Sequence, residues 1–141
     1  MPTSADPMSV RPIGVIRSEI TTRAEAPKQA DEGAPDVWLE IEPWAEDGLL
    51  GITPGAQLIL LSWLHQSDRT VLQGYPRSDK RNPLTGVFYT RSPDRPNPIG
   101  LHPVTVRSIE GRRLRIGPIE VLDGTPVVDL KIALPWKPRE G

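Results

Sequence analysis

Apolar residues in this chain recur mostly at every second position, in short runs, and seldom at helical spacing. Val37, Leu39 and Ile41 alternate with Trp38, Glu40 and Glu42, which predicts a strand with one buried face. Ile13 to Arg17 reads as a short strand before it. Gln57 to Leu64 is almost continuously apolar, the pattern of a strand buried on both faces. Val71 to Tyr75 and Gly86 to Thr90 are further β-rich runs. Val104 to Ile109 and Arg112 to Ile116 flank Glu110-Gly111 as a hairpin, because glycine tolerates the positive φ of a tight turn. Ile119 to Leu122 and Val127 to Leu134 make two more strands around Asp123-Gly124-Thr125-Pro126. Pro43 to Leu49 fits one helical turn, with its proline at the start and Asp47-Gly48 at the end. Seven or more short strands at close spacing predict an all-β fold, a barrel or a sandwich.

Between these elements, Thr21 to Asp36 lacks periodicity and is broken by Pro27, Gly33 and Pro35, which predicts a long functional or disordered loop. Residues 1–10 read as a tail, residues 11–136 as a single domain and residues 137–141 as a second tail, in keeping with a chain of 141 residues. The 17 prolines and 12 glycines argue against long helices. With no cysteine, disulfides, thiolate metal sites and cysteine nucleophiles are excluded; with two histidines, no metal site is expected. No apolar run approaches the roughly 20 residues of a membrane span, and the first residues lack the apolar centre of a signal peptide, so a cytoplasmic protein without membrane contact is expected. The net charge of −1 conceals an asymmetry: residues 1–50 hold 10 acidic and 4 basic residues, residues 51–141 hold 8 and 13. The basic remainder keeps nucleic acid open as a partner.

The most unusual local feature is RSPDRPNPIG, Arg91 to Gly100. Pro93, Pro96 and Pro98 fix their own φ and push the preceding residues toward extended backbone, so the loop loses little entropy in presenting side chains. Arg91 and Arg95, with the amide of Asn97, make a natural receptor for carboxylate or phosphate, and Gly100 permits close backbone approach to a ligand. A proline-rich connector with solvated arginines is the alternative. His65-Gln66 and the Asp123 turn are as readily structural as functional. No dinucleotide fingerprint, P-loop or HExxH sequence occurs.

The longer run GVFYTRSPDRPNPIGL, Gly86 to Leu101, resembles the signature of the TsaA-like family, which includes the TrmO tRNA methyltransferases. PIGVIRS at Pro12 to Ser18, His65-Gln66 and LDGTPVVDLK at Leu122 to Lys131 extend the resemblance over most of the chain. It implies a closed or partly closed antiparallel β-barrel with few short helical turns, binding S-adenosylmethionine without a Rossmann fold and acting as a homodimer. Its TrmO members methylate the N6 nitrogen of threonylcarbamoyl-adenosine at tRNA position 37, beside the anticodon. By motif, the family's cofactor contacts fall on Pro27, Lys28 and Gln29, on His65 and Gln66, on Arg91 and Leu101, and on Leu122, Asp123, Gly124 and Thr125. Arg91 is then expected to pair with the cofactor's carboxylate, Leu101 to pack on adenine, and backbone groups of the Asp123 turn to bond the adenine edge or ribose. The loop Thr21 to Asp36 becomes part of a cofactor lid. The chain departs from the family pattern at Leu101-His102-Pro103-Val104 and at Ile132 to Trp136 and, ending soon after Trp136, is expected to lack the additional C-terminal domain of longer members.

Methyl transfer needs an in-line approach of a nitrogen lone pair, so orientation supplies much of the rate. Asp123, Asp129 and Lys131 are the candidates for orienting the acceptor or removing its proton; for the last two, a cross-strand charged pair on a barrel rim is the alternative. Arg77, Lys80, Arg81, Arg95 and Asn97 are the candidate substrate contacts, with Arg107, Arg112, Arg113 and Arg115 as a second basic group. The expected activity is a S-adenosylmethionine-dependent N-methyltransferase of tRNA. A small-molecule methyl acceptor and a non-catalytic cofactor-binding regulatory module are the alternatives.

Overall fold

The computed structural model describes residues 7–18 and 35–133 of the chain. Pro27, Lys28 and Gln29, most of the Thr21 to Asp36 loop, residues 1–6 of the first expected tail and all of the second, residues 137–141, lie outside the described residues. The strands are β1 (Gly14–Arg17), β2 (Val37–Ile41), β3 (Gln57–Trp63), β4 (Gln73–Gly74), β5 (Thr85–Gly86), β6 (Ile99–Glu110), β7 (Arg113–Gly117) and β8 (Pro126–Ile132). Six of them close into a barrel in the order β1-β2-β7-β6-β3-β8, each neighbouring pair antiparallel. Of the two expected β architectures the barrel is the one formed. Strands β4 and β5 form a separate ribbon inserted between β3 and β6.

Period-2 alternation sets the barrel interior. Ile16, Val37, Leu39, Leu60, Leu114, Ile116 and Val127 are almost completely buried. Each such side chain stabilises the fold by about 1.5–3 kcal/mol relative to an exposed one. Closure leaves β2, β3 and β7 paired on both edges along almost their whole length. Pro43–Leu49 forms the expected single helical segment, of 3-10 type with proline at its start.

Several elements differ from expectation. Strand β3 alternates: Leu58, Leu60 and Ser62 point inward, while Ile59, Leu61 and Trp63 lie on the outer face and are half-buried. Its apolar run therefore serves two faces of unequal burial. Strand β6 begins at Ile99, five residues before the expected start, and takes in part of the proline-rich motif. Its first half pairs with β3 alone, so Pro103 stands where one edge needs no donor. Ile119 and Val121 are buried as expected but belong to no strand; Ile119 N–H donates to Pro35 O at 3.1 Å, and the segment packs on the core without joining a ladder. Gly86 to Thr90 gives only the end of β5, followed by a 3-10 turn at Val87–Tyr89 anchored by buried Val87. Val71 to Tyr75 contributes only the two residues of β4, and β8 ends at Ile132.

The alternating strand directions put chosen chain segments at one end of the barrel. Strands β1 and β3 leave there and β6 and β8 enter there, with Trp63 opposite Ile99, Ser62 opposite Val127, and Val15 opposite Pro126. The segments after Trp63, before Ile99 and before Pro126 therefore share that end. The Pro43–Leu49 helix and the β6–β7 hairpin occupy the other. Among the described residues, no helix is long and apolar enough to cross a membrane.

Candidate functional site

The loop before β6 owes its shape to two arginines that bond its backbone. Arg95 Nε donates to Ser92 O at 2.7 Å, and its Nη2 donates to Val87 O at 2.8 Å and Thr90 O at 2.7 Å. Charge-assisted bonds of this kind, added to three prolines, hold the loop in one conformation. From the other side, Arg69 Nε donates to Pro96 O at 2.7 Å and its Nη2 to Asn97 Oδ1 at 3.4 Å, while its guanidinium lies 5.0 Å from the Trp63 ring centroid. The backbone N–H of Asp68 donates to Asp94 Oδ1 at 2.9 Å, and that of Leu64 to Pro98 O at 2.8 Å. Arg95 and Asn97, expected to face a substrate, are thus engaged inside the loop. Arg91 is exposed and meets no carboxylate among the described residues, so of the two motif guanidiniums it is the one presented outward.

Around the same barrel end, His65 and Gln66 follow β3 in an exposed turn closed by Ser67 N–H on Leu64 O at 3.0 Å. Leu101 stands on the outer face of β6 opposite Leu61 and is 48% exposed. The Leu122 to Thr125 turn is built by Gly124 at φ +84°, a conformation that favours glycine. Its donors are largely spent: Gly124 N–H goes to Ile16 O at 2.8 Å, and Thr125 N–H and Oγ1 both go to Leu122 O. Thr125 is buried and holds the turn together, whereas the Asp123 side chain is exposed, one oxygen accepting Ser18 N–H at 3.0 Å.

The remaining candidates lie elsewhere. Asp129 and Lys131 pair with one another at 3.8 Å along β8, opposite Leu61 and Ile59, so they form a same-strand pair on the outer face and do not join Asp123. Arg81 grips Asp79 through Nε and Nη2, with a shortest contact of 2.8 Å, and this bond lowers the Asp79 pKa. Arg77 sits at φ 58° in the short 3-10 turn Pro76–Ser78, and Lys80 is exposed beside them. All three belong to the connection between β4 and β5.

One polar pair inside this barrel end has no counterpart in the sequence expectations. Ser62 Oγ lies 2.8 Å from His102 Nε2, and Ser62 is fully buried among apolar neighbours. A Cβ at Gly100 would stand 2.5 Å from Ser62 Oγ and 2.6 Å from His102 Nε2, so this glycine makes room for the pair. Burial, and then the nearby charge of Arg91, lower the His102 pKa from 6.5 to about 4. The imidazole is therefore neutral at neutral pH. No local sequence pattern signals this pair, since Ser62 and His102 are 40 residues apart and meet only through the register of β3 against β6. The motif turn also leaves Phe88 and Tyr89 exposed, at 83% and 91%.

Two outcomes follow from this geometry. Because His102 binds protons more readily in the unfolded chain, its contribution to stability is present above pH 6.5 and lost as pH falls toward about 4. Urea unfolding across that window should lose on the order of 3 kcal/mol, and His102→Gln should flatten this component. Arg95→Ala should expose the 87–92 loop to proteolysis while leaving the barrel folded; Arg95→Lys should rescue little, because one ammonium cannot reproduce the planar fork.

Comparison with known proteins fits these features. Residues 15–137 match the tRNA-methyltransferase O N-terminal domain family. A "probable S-adenosyl-L-methionine-binding protein" of Archaeoglobus fulgidus is 44% identical over 124 residues, covering 88% of this chain and 33% of that protein. Another of the same description, from Methanothermobacter thermautotrophicus, is 38% identical over 122 residues, covering 86% of this chain and 87% of its own length. The crystal structure of TrmO from Pseudomonas aeruginosa superposes with a TM-score of 0.73 at 34% identity, covering 92% of this chain and 57% of that one. The chain thus spans about a third of the first relative and little more than half of the solved TrmO chain. By sequence and by barrel architecture, this chain belongs to the family of the tRNA-methyltransferase O N-terminal domain.

Proposed function

We propose that this chain binds S-adenosylmethionine at the barrel end formed around β3, β6 and β8 and transfers its methyl group to a nitrogen of tRNA. The acceptor in this reading is N6 of threonylcarbamoyl-adenosine at position 37. The observation that carries it is the convergence of Arg91, His65-Gln66 and the Asp123 turn, from three separate stretches of sequence, on one end of the barrel. The descriptions of the archaeal relatives support the cofactor, and the family description supports tRNA.

The donor set suits the cofactor's chemistry. An outward guanidinium at Arg91 matches a carboxylate, and the half-exposed Leu101 matches an adenine face. When bound, S-adenosylmethionine supplies a methyl group activated on a positively charged sulfur. The chain's part is orientation, since a stapled loop and a turn tied to β1 hold their side chains without reorganisation. Asp123 is the group chosen to orient the acceptor and receive its proton, because Asp129 and Lys131 are paired on the outer face. The same reading takes the protein as a homodimer with its cofactor sites near the subunit interface, which suits the half-exposed Ile99 and Leu101 at this barrel end.

Incubation with labelled S-adenosylmethionine and tRNA from cells that have or lack the threonylcarbamoyl group tests the proposal. Label is expected only in the modified pool, and Arg91→Ala should weaken cofactor binding about tenfold or more. Equal label in both pools contradicts the acceptor. Transfer to small molecules, or tight cofactor binding without turnover, replaces it with one of the alternative functions.

A further inference from the structure

The Ser62–His102 pair leaves one ring nitrogen uncommitted, and hydrogen-bond accounting fixes which proton it carries. Ser62 is completely buried, and its hydroxyl has no partner among the described residues besides His102 Nε2, at 2.8 Å. A buried O–H without an acceptor is costly, so Ser62 Oγ donates and Nε2 accepts. The neutral ring then carries its proton on Nδ1, as an N–H donor. Nδ1 has no partner among the described residues, and it is not sealed from solvent. An adjacent serine and imidazole also describe a nucleophile and its base, but full burial closes Ser62 to any electrophile.

The position of the ring says what this donor can meet. His102 lies in the half of β6 that pairs with β3 alone, so no strand covers its second side. Its ring leans over Gly100 toward the barrel end that gathers Arg91, His65-Gln66 and the Asp123 turn. Arg91, the outward guanidinium of that end, is near enough for its charge to act on the ring. Successive side chains of a strand take opposite faces, so a ligand at the unpaired edge of β6 meets Leu101 on the outer side and His102 on the inner. We propose that His102 Nδ1–H, held in that tautomer by Ser62, is a second donor beside Arg91 to the carboxylate of S-adenosylmethionine. Arg91 supplies the charge, and the imidazole adds direction without a second charge. The inference rests on the cofactor reading above and adds to it a residue that the motif does not assign.

Calorimetric titration of the full chain with S-adenosylmethionine and with its decarboxylated analogue, alongside urea unfolding at neutral pH, tests the assignment. Two amides separate the two ring nitrogens. His102→Gln reaches the place of Nε2 and keeps a partner for Ser62, but it removes the Nδ1 donor. It should unfold at a urea midpoint near the native one, bind S-adenosylmethionine about tenfold more weakly and bind the analogue as the native chain does. His102→Asn puts an N–H where Nδ1 stands and leaves Ser62 without an acceptor. It should lower the urea midpoint while keeping most of the affinity for S-adenosylmethionine. Native affinity of His102→Gln for both ligands, or an equal loss for both, overturns the role of His102 and leaves the cofactor reading standing. A native chain that binds neither ligand overturns the cofactor reading, and this inference with it.

Discussion

The short ladder between β1 and β8 is the constraint on which the rest depends. Gly14 opposite Val127 and Val15 opposite Pro126 close six strands into a barrel, reinforced by Ile13 N–H on Val127 O at 2.8 Å and Ile16 N–H on Thr125 O at 2.9 Å. The same contacts draw the Asp123 turn onto the end of β1, where Gly124 N–H meets Ile16 O. Without that closure β1 and β8 would be open edges, and the Asp123 turn would have no fixed relation to the loops around β3 and β6. Closure therefore does two things at once: it seals the apolar interior, and it gathers the segments proposed to hold the cofactor, which lie far apart in sequence.

Rigidity at that end comes from polar groups spent on backbone. Arg95, Arg69 and Asp94 satisfy carbonyls and an N–H of the loop and its neighbours, so the loop is held by bonds as well as by prolines. The Ser62–His102 pair shows the same principle inside the barrel, where a neutral imidazole and a hydroxyl partner each other among aliphatic side chains. Such a pair is tolerable because each member removes the other's desolvation cost. The outward groups, Arg91, His65, Gln66 and Asp123, are thereby presented from a scaffold that does not have to rearrange.

Much of this was legible in the chain, for identifiable reasons. Val37, Leu39 and Ile41 announce β2 because one face is buried and one is wet, and the helical segment at Pro43–Leu49 announces itself by its proline. Ile119 and Val121 misled because the alternation of buried residues looks the same in a strand and in a segment that packs on the core unpaired. The start of β6 was hidden by prolines, which read as loop although an unpaired edge accommodates them. Arg95 misled because a guanidinium fits backbone carbonyls as well as it fits an anion, and only coordinates tell which it has met. Asp129 and Lys131 are two residues apart on one strand, and sequence alone did not place them away from Asp123. The Ser62–His102 pair needed the register of β3 against β6, which no local pattern encodes.

Hydrogen–deuterium exchange with and without S-adenosylmethionine tests whether the segments gathered at one barrel end form the cofactor site. Protection is expected to concentrate in residues 64–67, 91–101 and 122–125. Protection confined to the opposite end, around the Pro43–Leu49 helix and the β6–β7 hairpin, would contradict it.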